Sequence, residues 1–254
     1  MSSRKIALIG VLMILTVGII FQLVAAKDAE PAGVEGITRG ASTTFNGSLY
    51  PAANTTAEAG NITSIDLEVI GPTRFWQGFY GEVTGEIVLE DANGNTLYNW
   101  SSAEPQGQIY ASTSNSISWL DVACMDSAND VTWTTTETKY DIADIDEDGI
   151  VDTFVNNDHP TFWIGNNEIT GCNTTWTFVN SAVQTERFPM AILEEDAVAD
   201  VDLYVTWMEN RDNGNATDVT GFDGVTHDFQ FMVPENGTSN NRVTTTYYFW
   251  AAIA

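Results

Sequence analysis

Period-two alternation is the feature that most constrains this chain. Val201, Leu203, Val205 and Trp207 alternate with Asp202, Tyr204 and Thr206. Val83, Gly85, Ile87 and Leu89 alternate with Thr84, Glu86, Val88 and Glu90, and Ile65, Leu67 and Val69 alternate with Asp66 and Glu68. Successive side chains leave a strand on opposite sides, so this spacing sends one face to a core and the other to water. Further strands are expected at residues 97–100, 109–112, 117–122, 131–135, 175–179, 229–233 and 243–251, with turn-forming clusters at 91–95, 212–215 and 234–237 between several of them. Residues 190–199 read as the one short helix after the N-terminus. Short strands without long amphipathic segments between them imply an all-β domain over residues 61–254, a β-sandwich of the Ig-like or jelly-roll-like kind. No internal repeat of solenoid or propeller length is present. The aromatic stretch 247–254 must be sheet-paired, since an exposed apolar edge would aggregate.

The N-terminus sets the compartment. Residues 6–26 form an apolar run behind Arg4 and Lys5, which reads as an export signal or a membrane anchor helix. Its length fits an anchor, whereas Val24-Ala25-Ala26 followed by an acidic, turn-rich segment fits cleavage. In either case the positive charges before the run place the remainder outside the cell. Membrane contact is expected only through residues 6–26, if they are retained. Residues 27–60, poor in apolar side chains, read as a polar stalk. Such a segment cannot offset its ordering entropy unless it docks. Strand addition of residues 37–50 to a neighbouring subunit's sheet edge would be one such docking, set against a flexible glycosylated tether.

Charge excludes one class of partner. The chain has 35 acidic and 9 basic residues, a formal charge of −26, and lysine only at Lys5, Lys27 and Lys139. Binding to a phosphate backbone runs on lysine and arginine displacing counterions, so no nucleic acid is expected. The aromatic content, with 8 Trp, 8 Tyr and 12 Phe, is too high for a disordered acidic polymer. Cys124 and Cys172 are the only cysteines, and in an exported chain they are expected to form one disulfide worth about 3–4 kcal/mol in the chain-entropy model. Seven N-x-Ser/Thr sequons, at Asn46, Asn54, Asn61, Asn99, Asn173, Asn215 and Asn236, predict an exposed glycosylated surface, although a chain rich in Asn and Thr makes some by chance.

The strongest local signal is Asp144-Ile145-Asp146-Glu147-Asp148-Gly149-Ile150-Val151-Asp152. Five acids in nine residues repel one another unless a cation sits among them. Calcium takes six to eight hard oxygens near 2.4 Å, and carboxylates at alternate positions converge on one ion if the backbone curls at the glycine. Asp144, Asp146 and Asp148 are the expected side-chain ligands, the Ile150 carbonyl a backbone ligand, and Asp152 a ligand directly or through water. These nine residues resemble the calcium loops of the EF-hand, dockerin and thrombospondin type 3 families. Val155 stands where an EF-hand has its bidentate Glu, which implies a static clamp rather than a sensor. The loop lies between Cys124 and Cys172, so ion and disulfide are expected to brace one excursion, residues 124–172.

Catalysis has little support in the residues. His159 precedes a proline and His227 lies in a polar stretch. The hydrolase, zinc-protease, P-loop and dinucleotide fingerprints do not occur after the N-terminal run, so no enzyme and no catalytic residue is assigned. The aromatic stretch Phe75-Trp76-Gln77-Gly78-Phe79-Tyr80-Gly81 is either packed core or a platform that stacks sugars through Trp76 and Tyr80. Together with Val83-Thr84-Gly85, the Asn-Gly hairpin at 90–100 and the aromatic last strand, it resembles stretches of uncharacterised secreted archaeal proteins. That resemblance implies an archaeal cell-surface β protein and no particular activity. The expectation is thus an extracellular structural or interaction protein, glycosylated and calcium-braced, either an anchored surface protein or a filament subunit, whose partners are cell-surface proteins, glycans or further copies of itself. A carbohydrate-binding module is the alternative, followed by a small secreted hydrolase.

Overall fold

The computed structural model describes residues 30–102, 106–125, 131–143, 145–155, 159–180, 183–185, 187–195, 202–208, 219–235 and 244–253. Their strands run in order as β1 Ala32–Gly33, β2 Trp76–Gly81, β3 Gly85–Glu90, β4 Thr96–Ser102, β5 Gly107–Ser112 and β6 Val122–Cys124. Two helices follow, α1 Val131–Lys139 and α2 Ile150–Thr153. The remaining strands are β7 Phe162–Ile164, β8 Asn167–Ile169, β9 Thr174–Trp176, β10 Val179–Asn180, β11 Val183–Gln184, β12 Pro189–Glu195, β13 Asp202–Trp207, β14 Val219–Thr220, β15 Thr226–His227, β16 Phe229–Pro234 and β17 Tyr248–Ile253. The protein is all-β in character, and its sheets are antiparallel.

One large sheet organises the molecule in the order β1-β17-β5-β13-β12-β6, with β9 also paired to β12. Its register sets Ala191, Val205, Tyr110 and Trp250 in one cross-strand row, and Ile192, Tyr204, Ala111 and Phe249 in the next. Adjacent rows face opposite ways. The first row packs with Val122, Leu193 and Leu203 against Phe162, Ile164 and Ile169 of the β7–β8 hairpin. The second packs against Phe231 and Val233 of the β16–β2 pair and against Trp133, Tyr140, Ile150 and Phe154 from around the two helices. The central strands are therefore buried on both faces. Gly107 opens β5 at φ +143°, and a Cβ there would fall 1.7 Å from the Ala252 carbonyl oxygen, so only glycine fits against β17.

Double burial explains one difference from expectation. Residues 190–199 do not start a helix: Pro189–Glu195 is strand β12, held between β13 on one side and β6 and β9 on the other. A strand buried on both faces loses its polar alternate positions, so Met190-Ala191-Ile192-Leu193 carries no period-two signal. The opposite error occurs at residues 131–135, which lie in helix α1 rather than a strand. Trp133, Thr136, Glu137 and Tyr140 are buried at helical spacing, and tertiary packing overrides the β preference of the intervening threonines. In the expected strand 117–122 only Val122 pairs, and the β7–β8 hairpin was not anticipated.

Two apolar regions lie mostly outside this body, touching it where Gly85 abuts the Ile253 side chain and where the Val34 N–H donates to the Phe249 carbonyl. The β3–β4 hairpin pairs with no third strand among the described residues. Residues 34–73 contain one 3-10 turn, Gly47–Leu49, beside which Phe45 stacks on Tyr50, and include neither the strand expected at Ile65–Val69 nor an extended strand at 37–50. Of the expected stalk, Ala32–Gly33 docks on β17. The apolar run at 6–26 lies outside the described residues. Among those described, no helix is long and apolar enough to cross a membrane.

Leu193 is fully buried in the sheet, whereas Leu97 on β4 is 80% exposed. Leu193→Ala is expected to destabilise the fold by about 3 kcal/mol and Leu97→Ala by less than about 0.5 kcal/mol. Urea unfolding of both variants checks this, with equal losses counting against a core centred on β12.

Candidate functional site

The acidic loop is built between α1 and α2 and rests on the start of β2. The Asp146 carboxylate accepts the Ala143 N–H at 2.8 Å, and its other oxygen lies 4.0 Å from the Arg74 guanidinium. The Thr73 hydroxyl donates to the Asp148 carboxylate at 2.5 Å, and the Trp76 indole N–H donates to the Asp148 carbonyl at 2.7 Å. The loop is thus tied by residues 73–76 to the β16–β2 pair. Gly149 has an ordinary φ of −68°, so it is not required for a left-handed curl. Space is tight there instead, because a Cβ would lie 2.9 Å from Glu137 Oε1 and 3.1 Å from the Asp146 carbonyl oxygen, so a larger residue would make Glu137 shift.

The expected calcium ligands are distributed as follows. Asp146 and Asp148 are half-buried on the loop, and Asp152 is exposed on α2. The Ile150 side chain is fully buried, and its carbonyl accepts the Phe154 N–H at 3.0 Å. Asp144 lies outside the described residues. Among those described, no three carboxylate, imidazole or thiolate groups gather round one point. Glu137, which the sequence did not single out, stands behind the loop, buried, with its Oε1 accepting the Val151 N–H at 3.1 Å. Its signal was the helical spacing to Trp133 and Tyr140, hidden by the surrounding threonines.

The disulfide is present: Cys124 of β6 is joined to Cys172 just before β9, across 48 residues of chain. Beside it, β6 and the β8 hairpin leave an open groove of about 480 Å³ lined by Val122, Cys124, Asn167, Ile169, Gly171 and Asn173. Asn167 spans its floor by donating to the Val122 carbonyl at 2.5 Å. Four sequon asparagines, Asn46, Asn54, Asn61 and Asn99, are exposed, and Asn173 is half-buried at this groove. Asn215 and Asn236 lie outside the described residues.

Trp76 and Tyr80 do not form a common platform. The Trp76 ring packs at 6.1 Å from Phe154 on the core, whereas Tyr80 is 49% exposed. Tyr80 instead meets Phe222 edge-on at 4.8 Å and lies 4.7 Å from the His227 ring. His227 is buried between two carboxylates, with Nε2 at 3.0 Å from Asp223 and Nδ1 at 3.6 Å from Glu82. The Val225 N–H, followed by His227, holds the Asp223 carboxyl below the usual carboxylate range. Aromatic rings beside acidic hydrogen-bonding groups suit contact with a sugar or a cation. The sequence missed this grouping because Tyr80, Phe222 and His227 are brought together only by β2, β14 and β15.

His159 serves packing. It is 5% exposed, contacts Phe162 at 5.2 Å and Trp207 at 5.6 Å edge-on, and its Nδ1 lies 2.9 Å from the Pro160 carbonyl oxygen. Burial pushes its pKa down to about 4, against the opposing pull of the Pro160 and Pro189 carbonyls.

No protein-family model, no curated protein and no solved structure matches this chain.

The lowered pKa of His159 makes stability depend on pH. In the unfolded chain this group gains a proton below about 6.5, while the folded form stays neutral down to about 4. Its contribution is therefore complete above pH 6.5 and is lost as pH falls towards 4, by on the order of 3 kcal/mol. Unfolding curves at pH 7.5, 6 and 5 should show this decline in the wild type and a shallower one in His159→Phe. Parallel curves would remove His159 as the cause.

Proposed function

We propose that this protein is an extracellular structural or interaction component of a cell surface, of the archaeal secreted kind, carrying a calcium-stabilised and glycosylated β-sandwich. The β16–β2 pair laid on one face of the large sheet supports the sandwich reading. The observation that carries the function is the apolar β structure left outside the body. Ile87, Leu89, Tyr98 and Trp100 on the β3–β4 hairpin, and Leu67 and Val69 ahead of β2, are exposed. A lone two-stranded hairpin is marginal in water, so a chain that retains one gains from a partner that covers it. The disulfide and the exposed sequon asparagines suit life outside the cell. Proteolytic shaving of intact cells of the source organism tests this reading. Release of peptides from 61–254 is expected, and protection until lysis would overturn it.

A calcium ion would be held by Asp144, Asp146, Asp148 and Asp152, with Glu137 behind them, and would neutralise the loop that fastens α1 and α2 to the start of β2. At a hundredfold excess over its dissociation constant, such an ion adds about 2.7 kcal/mol. A chelator is expected to lower the melting temperature of the wild type by several degrees and to leave Asp146→Asn/Asp148→Asn unmoved. An unchanged wild-type midpoint would remove the ion.

The second reading, a carbohydrate-binding module, is favoured by the exposed Tyr80–Phe222 pair beside Glu82 and Asp223. Glycan binding lost in Tyr80→Ala at an unchanged melting temperature would support it over the structural reading.

A further inference from the structure

The structural reading leaves open what covers the exposed hairpin, and the chain itself holds a segment that fits. In the β3–β4 register Ile87 stands opposite Trp100 and Leu89 opposite Tyr98, so these four side chains share one face. The Tyr98 and Trp100 rings lie 4.7 Å apart on it. Val88 stands opposite Asn99 on the other face, where the sequon amide donates to Glu86. The hairpin is thus two-sided, with an aromatic, apolar face and a mixed one that carries the Asn99 sequon and Glu86 beside Val88. Its turn is fixed by the Asp91 carboxylate, which accepts the Asn93 and Asn95 N–H groups at 2.9 Å each. Those bonds, those from the Asn95 side chain foremost, lower the Asp91 pKa to about 2. Both outer edges are unpaired among the described strands. Leu97, Tyr98 and Trp100 of β4 are more exposed than Ile87, Val88 and Leu89 of β3, so β4 is the more open edge.

The matching segment lies a few residues before β2. Ile65, Leu67 and Val69 are 57%, 79% and 85% exposed and alternate with Asp66 and Glu68, which is the pattern of a strand with one face to bury. No described strand pairs with it. Its C-terminal end is fastened through Thr73 and Trp76 to Asp148, at the start of β2. The hairpin leaves from the far end of β2, about 17 Å away along six residues. Among the described residues the segment pairs with no strand, and the hairpin with no third strand.

We infer that residues 62–70 of one copy add as a strand to the β4 edge of another copy, setting Ile65, Leu67 and Val69 beside Tyr98 and Trp100. This rests on the structural reading and names its partner as a second copy of this chain. The donor segment and the acceptor edge are different surfaces, so each addition leaves one of each free, and the assembly grows as an open filament where the rotation between copies does not close a ring. Asp66 and Glu68 then share a face with Glu86 and Glu90, about 10 Å away across β4, so repulsion between acidic strands opposes assembly until salt or divalent cations screen it.

The test uses the full chain across a range of concentration and salt, followed by sedimentation and electron microscopy. Filaments are expected, favoured by salt. Leu67→Pro, placed in an exposed segment without strand pairing, should keep the wild-type melting temperature and raise the concentration for assembly about tenfold or more. Mixing Leu67→Cys protein with Tyr98→Cys protein should give a disulfide-linked pair of different copies. Filaments unaffected by Leu67→Pro would overturn the segment's role and leave the surface-structural reading standing. Protein that stays monomeric throughout would overturn strand addition, while shaving of intact cells decides the broader reading separately. A link formed only within a chain carrying both cysteines would overturn the second copy as partner.

Discussion

Burial of the large sheet on both faces is the constraint on which the rest of the structure depends. β5 and β12 have no face to give to water, so two separate covers must form, and each is assembled from chain far from the strands it protects. The β7–β8 hairpin is one cover. Alone it would be a marginal pair of three-residue strands, but the disulfide fastens the chain after it to β6, and Asn167 donates to the Val122 carbonyl of the same strand. The closed loop is worth about 4 kcal/mol in the chain-entropy model, which suits a cover that has little ladder of its own.

The other cover depends on polar bonds. The β16–β2 pair brings Phe79 and Phe231 to Phe249 of the sheet, and α1 and α2 bring Trp133, Ile150 and Phe154. These pieces are coupled at the acidic loop, where Thr73 and Trp76 reach Asp148 and Glu137 reaches the N-terminus of α2. A change in the charge of this loop therefore acts on the packing of one whole face of the sheet. Neutralisation by the proposed cation would thus act at the same junction that grips β2, even though the loop itself is half-exposed.

Legibility in the sequence followed exposure. β13 and β3 were readable because each alternates, and the disulfide because two cysteines behind an N-terminal run that reads as an export signal or anchor have one simple pairing. β12 was unreadable as a strand because both its faces are apolar, and α1 because its Thr-rich run conceals the Trp133, Glu137 and Tyr140 stripe. In the candidate site, the motif placed Asp146 and Asp148 on one loop, yet nothing local indicated that Thr73, Trp76 and Glu137 would hold it. Those are contacts across 75, 72 and 14 residues, fixed by the register of β2 and the docking of α1. The Tyr80–Phe222–His227 grouping was hidden for the same reason.

Ile65, Leu67 and Val69 show a different relation between pattern and fold. Their alternation specifies a strand, and in the single chain no strand forms there. Tertiary override usually means that a segment is recruited into a competing structure, as α1 was, but this segment remains exposed and in no competing element. Natural sequences tend to agree across local and global levels, and the proposed addition to a second copy would satisfy this strand pattern and its unburied apolar face. The formal charge of −26 makes such exposure tolerable, because like-charged copies stay dispersed until the medium screens them. Acidity thus serves two ends. Repulsion between like-charged copies opposes contact of their exposed β surfaces, and it would make the proposed strand addition depend on the ions around the protein.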